Sequence, residues 1–174
     1  MQIRKLTPID APRFRDLRLK GLQDHPEAFG ESHEEFAAYS AEEIARRIPS
    51  DPESRRGFVL GAFDGAAEMV GVVALERDHA RKRSHKAVLW GMYVLPGYRR
   101  QRLATQLVQT LIDAARDLGD LEQIQLTVAT RNVRAVRLYE SLGFHSYGRE
   151  PHALCINGEF YDQEHMVLAL EERE

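Results

Sequence analysis

Apolar positions along the chain follow two rhythms, one near every second residue and one near every third or fourth, and the switches between them mark out the elements. Ile3 to Leu6 forms a short strand ended by Thr7-Pro8, and Asp10 stands as a helix N-cap before Pro12. Phe14, Leu17, Leu19 and Leu22, spaced among arginines, predict an amphipathic helix that stops near His25-Pro26. Phe29-Gly30 opens a polar stretch with Glu31, Glu34, Glu35, Glu42 and Glu43, where Phe36, Ile44 and Ile48 predict one or two short helices. Gly57–Phe63 and Met69–Glu76 are strand-like and are joined by Asp64-Gly65, a hairpin signal. Arg77 to Lys86 is basic and reads as an exposed connection that keeps strand edges apart from other chains, in preference to a contact for a phosphate or an acidic partner.

Ala87 to Leu95 is apolar on both sides, as a central strand must be. Pro96-Gly97 breaks it, a cationic turn Arg99-Arg100-Gln101-Arg102 follows, and Leu103, Leu107 and Leu111 with Ala104, Val108, Ile112, Ala115 and Leu118 predict a helix closed by Gly119. Gln123 to Ala129 alternates and forms the next strand, so the unit is strand, helix, strand, the grammar of a right-handed parallel crossover. Asn132 caps a short helix that ends at Gly143, with Asn132, Ala135 and Tyr139 on one face. Phe144–Tyr147 and Ala153–Ile156 are strand-like, Asn157-Gly158 is a turn, and Tyr161 to Leu170 returns before a solvated tail at 171–174. With no repeat, low-complexity tract or linker, the 174 residues read as one domain, 1–174, of mixed α/β (α+β) class.

A formal net charge of -3 disfavours a general nucleic-acid binder, so the basic clusters need local explanations. One cysteine, Cys155, excludes an internal disulfide and a multi-Cys zinc site; lying in an apolar stretch without cationic neighbours, it reads as a buried, inert thiol. The seven histidines show no metal-ligand spacing, so no metal is expected. No apolar run approaches the length of a membrane span and the N-terminus has no signal-peptide core, which leads us to expect a cytoplasmic protein with no membrane partner.

The stretch from Leu89 to Leu107, LWGMYVLPGYRRQRLATQL, carries the first candidate chemistry. A strand that feeds a helix through a short basic turn leaves backbone N–H groups unpaired at the positive end of the helix dipole, a seat for an anion such as pyrophosphate. It is neither a Walker loop nor a dinucleotide fingerprint, because the required glycines are absent. VLPGYRRQRLATQLV resembles the acetyl-CoA signature of the GNAT N-acetyltransferase superfamily, and NVRAVRLYESLGF, Asn132 to Phe144, resembles its second signature. Arg99 fills the first motif position and Ala104 the last, while Arg102 stands where the family has glycine; a non-Gly residue there calls for a negative φ.

The resemblance implies a central, mixed, splayed sheet of about seven strands flanked by helices, with acetyl-CoA as co-substrate. It implies that Met92, Tyr93 and Val94 offer main-chain groups to the pantetheine arm, and that Arg99, Arg100, Gln101, Arg102, Leu103, Ala104 and Thr105 cradle the pyrophosphate. In the family, the residue at Asn132 contacts the arm, with Ala135 beside it, and the tyrosine at Tyr139 protonates the leaving thiolate. We assign acceptor binding to Phe29, Gly30 and Glu31 at the head of the acidic stretch and to Trp90 on the central strand.

The acceptor amine must lose a proton before it attacks. Many relatives use a carboxylate on the strand before the phosphate turn, yet Ala87 to Leu95 contains none. Glu150, His152, His165 and His85 are candidates beside a water chain; we favour the water chain and place Glu150 second. The expected activity is direct acetyl transfer to a primary amine of a small cationic molecule, with a protein N-terminus or lysine, or a non-catalytic acyl-CoA sensor, as alternatives. The sequence leaves open a homodimer and argues against a nucleic-acid partner, since aromatic residues do not interleave with the arginines.

Overall fold

Every residue of β2 (Gly57–Phe63) and the first seven of β3 (Met69–Arg77) are buried, because helices cover both faces of the sheet they belong to. In the computed structural model, which describes residues 1–51, 53–78 and 80–170, that sheet has seven strands in the order β1-β2-β3-β4-β5-β7-β6. The remaining strands are β1 (Gln2–Lys5), β4 (Lys86–Val94), β5 (Gln123–Ala129), β6 (His145–Ile156) and β7 (Glu159–Ala169). Only β4 and β5 pair in parallel, across the helical crossover; the other neighbours are antiparallel. The tail expected to be solvated, 171–174, lies outside the described residues, as does His79 of the basic connection.

On one face lie α1 (Ala11–Asp24), α2 (His33–Ala37) and α3 (Ala41–Arg46), burying Phe14, Leu22, Phe36 and Ile44 against Val59, Val72 and Ala74. On the other lie α4 (Leu103–Arg116) and α5 (Val133–Ser141), where Leu107, Leu111, Ile112 and Tyr139 pack on Leu60, Val73 and Leu126. Alternate residues of β2 and β3 thus feed two cores, and a one-residue slip in register would exchange them.

Four of the carboxylates in the acidic stretch have structural partners. Glu35 and Ser32, and Glu43 and Ser40, form reciprocal capping boxes that start α2 and α3. Glu42 accepts from Arg46 at 2.6 Å, and Glu31 accepts from both Arg47 Nη atoms at 3.3 and 3.1 Å.

Two expectations are corrected. Cys155 is exposed, because β6 is the outermost strand, most of its residues face solvent, and no core selects against a thiol there. The two predicted pieces of that region join into one strand, irregularly paired with β7 between Glu150 and Leu154, where His152 has φ +54°. Asp10 precedes α1 as expected, but its side chain makes no cap hydrogen bond. It instead accepts from Arg4 Nη2 and Nη1 at 2.7 and 2.8 Å and from the Thr7 N–H at 3.0 Å, tying β1 to the start of α1.

Asp10 is 1% exposed, and the Arg4 hydrogen bonds hold its carboxyl below the usual value. A depressed carboxylate pKa stabilises the fold above the unfolded-state value, near 4, and that contribution is lost as pH falls through the folded value. Asp10→Asn is expected to cost about 2 kcal/mol at neutral pH, in the range of hydrogen bonds to charged groups. Urea denaturation at pH 7 and again below pH 4 checks this: the deficit relative to wild type should shrink in acid.

Candidate active site

The candidate site begins where two parallel strands stop pairing. β4 and β5 are in register over three residues, Lys86 with Gln123, Ala87 with Ile124 and Val88 with Gln125, and then part. The cause lies on the other edge of β4. Val72 and Ala74 of β3 face Tyr93 and Trp90, so β4 spends three steps where β3 spends two. One extra residue in one strand is a β-bulge, which bends and twists the strand that carries it. Gly91 takes up the bulge with φ +69°, a conformation in which its lack of a Cβ matters. A glycine inside an otherwise continuous strand pattern was the available sequence signal for it.

Beyond the parting, a cavity of about 640 Å³ runs along the opening. Met92, Tyr93 and Val94 form one wall, Asn132, Ala135 and Tyr139 of the α5 end form another, and Arg99, Arg100, Arg102, Leu103, Ala104 and Thr105 close the far end. Phe29 and Trp90 line the same space. Fourteen of the eighteen residues singled out in the sequence are therefore brought together. Gln101 is not among them; its amide donates to the Gly97 carbonyl at 3.3 Å. Gly30 is outside the lining, Glu31 lines a separate cavity, and Glu150 is exposed on β6, where its Oε2 faces His165 Nε2 at 3.1 Å.

The turn at the far end departs from expectation. Arg102 has φ +60° and ψ +10°, and Arg100 has φ +64°, so both occupy the left-handed region. Arg102 therefore keeps a glycine-like backbone rather than adopting a negative φ. For a residue with a Cβ this costs about 1 kcal/mol. The benefit is the path of the chain: Arg102 reverses direction directly before α4. The first helical bond of α4 runs from the Gln106 N–H to the Arg102 carbonyl at 2.9 Å, so the N–H groups of Leu103, Ala104 and Thr105 have no intrahelical acceptor and face outward from the positive helix end.

Sequence reasoning missed the support beneath this turn. Arg99 Nε donates to the Val94 carbonyl at 3.0 Å and its Nη2 meets His25 Nε2 at 3.1 Å. A guanidinium has only donors, so His25 Nε2 accepts and the ring proton sits on Nδ1, 3.5 Å from Glu27 Oε1. Next to it the Tyr93 hydroxyl donates to Asp24 at 2.6 Å, and burial first, then Asp24, push the phenol up to about 12. The end of α1 thus braces the basic turn across 69 and 74 residues of sequence, which no local pattern signals.

The cavity's charge is lopsided. Arg99, Arg100, Arg102, Arg131 and Arg134 line it, against the single carboxylate of Glu27. Arg131 is already paired with Glu159. Such an excess favours a polyanionic ligand at the turn. At the other end Tyr139 is 6% exposed with Phe144 packed edge-on at 5.7 Å, and burial raises its phenol above the ordinary value, so it stays protonated near neutral pH. Asn132 caps α5 as expected, its Oδ1 accepting from the Ala135 N–H at 3.2 Å, which leaves its amide NH₂ for a ligand. Among the described residues, no cluster of three His, Cys, Asp or Glu side chains is arranged to hold a metal ion.

A strand pair that splays beside a cationic helix start describes a class of acyl-CoA-binding fold, and the comparisons agree. The model of the Acetyltransferase (GNAT) family matches residues 19–144, and the chain belongs to that family. Human N-acetyltransferase 8 is 35% identical over 97 residues, which take in 55% of this chain and 42% of the human protein, so the chain spans less than half of that relative. Spermidine N(1)-acetyltransferase of Vibrio cholerae is 28% identical, covering 80% of this chain and 76% of its own. Among solved structures, the GNAT-family acetyltransferase of Streptococcus pneumoniae superposes with a TM-score of 0.86 at 26% identity, over 97% of this chain and 98% of its own. yncA of Salmonella typhimurium, solved with its cofactor acetyl-CoA, superposes at 0.83 with 20% identity, over 100% and 96%.

The strained turn yields a test. Arg102→Gly is expected to keep acetyl-CoA affinity and to stabilise the protein by up to about 1 kcal/mol, the left-handed penalty less the entropy cost of glycine. Arg102→Pro, whose ring forbids a positive φ, should weaken acetyl-CoA binding at least about tenfold. Thermal midpoints and calorimetric titration with acetyl-CoA read both; equal affinity of the proline variant and wild type would remove the backbone cradle.

Proposed function

We propose that this chain is an acetyl-CoA-dependent N-acetyltransferase that passes the acetyl group directly to a primary amine of a small molecule. One observation carries the reading: a single cavity joins the open helix start and its arginines to Tyr139 by way of the unpaired edge of β4. In this reading the pyrophosphate lies on the N–H groups of Leu103 to Thr105 with Arg99, Arg100 and Arg102 around it, and the pantetheine amides pair with Met92 and Val94 as a substitute strand. The acetyl group then lies near Trp90 and Tyr139.

The amine nitrogen attacks the thioester carbonyl carbon, forming the C–N bond and a tetrahedral oxyanion. Its collapse breaks the C–S bond. The electron pair leaves on sulfur, where Tyr139 supplies a hydrogen bond or proton and regains a proton from the acidified amine. Deprotonation of the incoming ammonium falls to water connected to solvent. Glu27 is the carboxylate placed on the cavity wall to assist, whereas Glu150 stands outside it. The acidic stretch gives little support to a cationic acceptor, since Glu31, Glu35, Glu42 and Glu43 are engaged within the chain.

Tyr139→Phe is expected to leave acetyl-CoA affinity unchanged and to lower kcat by roughly 10²-fold, the range of a lost general acid. Glu150→Gln should alter kcat/KM by less than about threefold, and the wild-type kcat/KM should rise with pH toward the pKa of the acceptor amine. Release of CoA thiol across an amine panel measures all three. An unaltered kcat in the Tyr139 variant, with chemistry limiting, would take Tyr139 out of the mechanism; a loss of about 10² or more in the Glu150 variant would place the proton acceptor on β6.

A further inference from the structure

Two charged side chains in the described residues are buried on the α1 side of the sheet, and they differ in one respect. Asp10 has all its bonds made; Arg18 does not. Arg18 is 5% exposed, and its Nε and Nη1 have no hydrogen-bond partner. Its Nη2 stands 3.8 Å from Glu31 Oε2, but Arg47 already holds both oxygens of that carboxylate. The rings of Phe29 and Trp90 flank the guanidinium, 4.4 and 5.7 Å from its carbon. Trp90 Nε1 is likewise buried and unpartnered.

These are donors only. Arg18 Nε and Nη1 and Trp90 Nε1 present four N–H hydrogens and no lone pair, so they cannot satisfy one another. Buried donors without acceptors are costly, so each one that a fold keeps calls for an explanation, and a ligand that brings acceptors supplies one. They line a second cavity of about 640 Å³, which also holds Arg46, Arg47 and Arg56. Its position is informative. Trp90 lines both cavities, and a Cβ placed on Gly91 would lie 3.6 Å from Arg18 Nη1, so Arg18 reaches the bulge from the face opposite the cofactor cavity's helix start.

We propose that this second cavity seats an oxyanion carried by the acceptor, a carboxylate or a phosphate bound by Arg18 and Trp90 Nε1, while the acceptor's amine reaches past Trp90 to the acetyl group. The substrate class is therefore an amino acid or an aminoalkyl phosphate, not a polyamine; this rests on the transferase reading above. The guanidinium is suited to the task because its Nε and Nη1 hydrogens are unclaimed and each can donate to an oxygen of such a group. Burial lowers Arg18 to about 10, which leaves it charged at neutral pH.

Trp90 is the sole tryptophan and lines both cavities, so with CoA already bound its fluorescence reports on what enters the second one. CoA-saturated protein is titrated with the L-α-amino acids, their carboxamides, O-phosphoethanolamine, ethanolamine and spermidine. At least one oxyanion-bearing amine should shift Trp90 emission with affinity at least about tenfold above its counterpart without the oxyanion, and the acid and phosphate arms identify the source. Arg18→Met should abolish that difference while keeping or raising the thermal midpoint, since it removes an unpaired buried charge and leaves Glu31 with Arg47. Arg18→Lys should retain part of the preference and covers the case in which the methionine variant fails to fold.

Carboxamides or spermidine binding as tightly as the acids, an intact preference in either folded Arg18 variant, or no emission change with any of these compounds at millimolar concentration would each overturn the subsite. Calorimetry with acetyl-CoA on the same preparation separates the two ideas. If acetyl-CoA binds and no oxyanion does, the subsite falls and the transferase reading stands. Absence of acetyl-CoA binding removes the transferase reading itself.

Discussion

The parting of β4 from β5 after Val88 is the constraint on which the rest of this molecule turns. A buried parallel strand pair normally satisfies its backbone groups along its full length, because an unpaired N–H or C=O away from water is expensive. Here the bulge at Gly91 bends β4 away after three paired residues and leaves its inner edge, Met92 to Val94, facing a cavity. Such an edge is an aggregation hazard when exposed. It is protected by the two helical layers above and below the sheet.

The second element follows from the first. Because β4 ends directed at the start of α4, the turn between them has to reverse the chain within a few residues, and it does so through two arginines in left-handed conformations. Strain of this kind persists only where surrounding structure holds it. The holding is visible: Arg99 grips the Val94 carbonyl and His25, and Tyr93 grips Asp24. Hydrogen bonds from the end of α1 thus stiffen the place where negative charge is expected to bind. The same helix carries Arg18 farther from its C-terminal end, so α1 supports the basic turn and also lines the second cavity.

Much of the architecture was legible in residue order. β5 matches its alternating pattern from Gln123 to Ala129, α4 matches its apolar stripe from Leu103, and Asn132 caps α5 as its residue type and position indicate. These are local or near-local effects, set by side-chain period, capping chemistry and turn residues. The expectations that failed share a different origin. Cys155 and the pieces of β6 lie at the sheet edge, where no core imposes a pattern, and Glu31 was read without the arginines that neutralise it from 13 and 16 residues away.

By itself, the sequence determined the order of elements, the crossover unit and the basic turn that leads into a helix start, because each depends on residues close together in the chain. Only the tertiary structure decided the conformation of Arg102, the register shift that opens the sheet, and the company kept by Arg18. Those are questions of which donor faces which acceptor. Arg18 reads in the chain as one more arginine on the polar side of an amphipathic helix; three-dimensional packing buries it among Phe29, Phe36 and Trp90, where its unmade bonds acquire meaning.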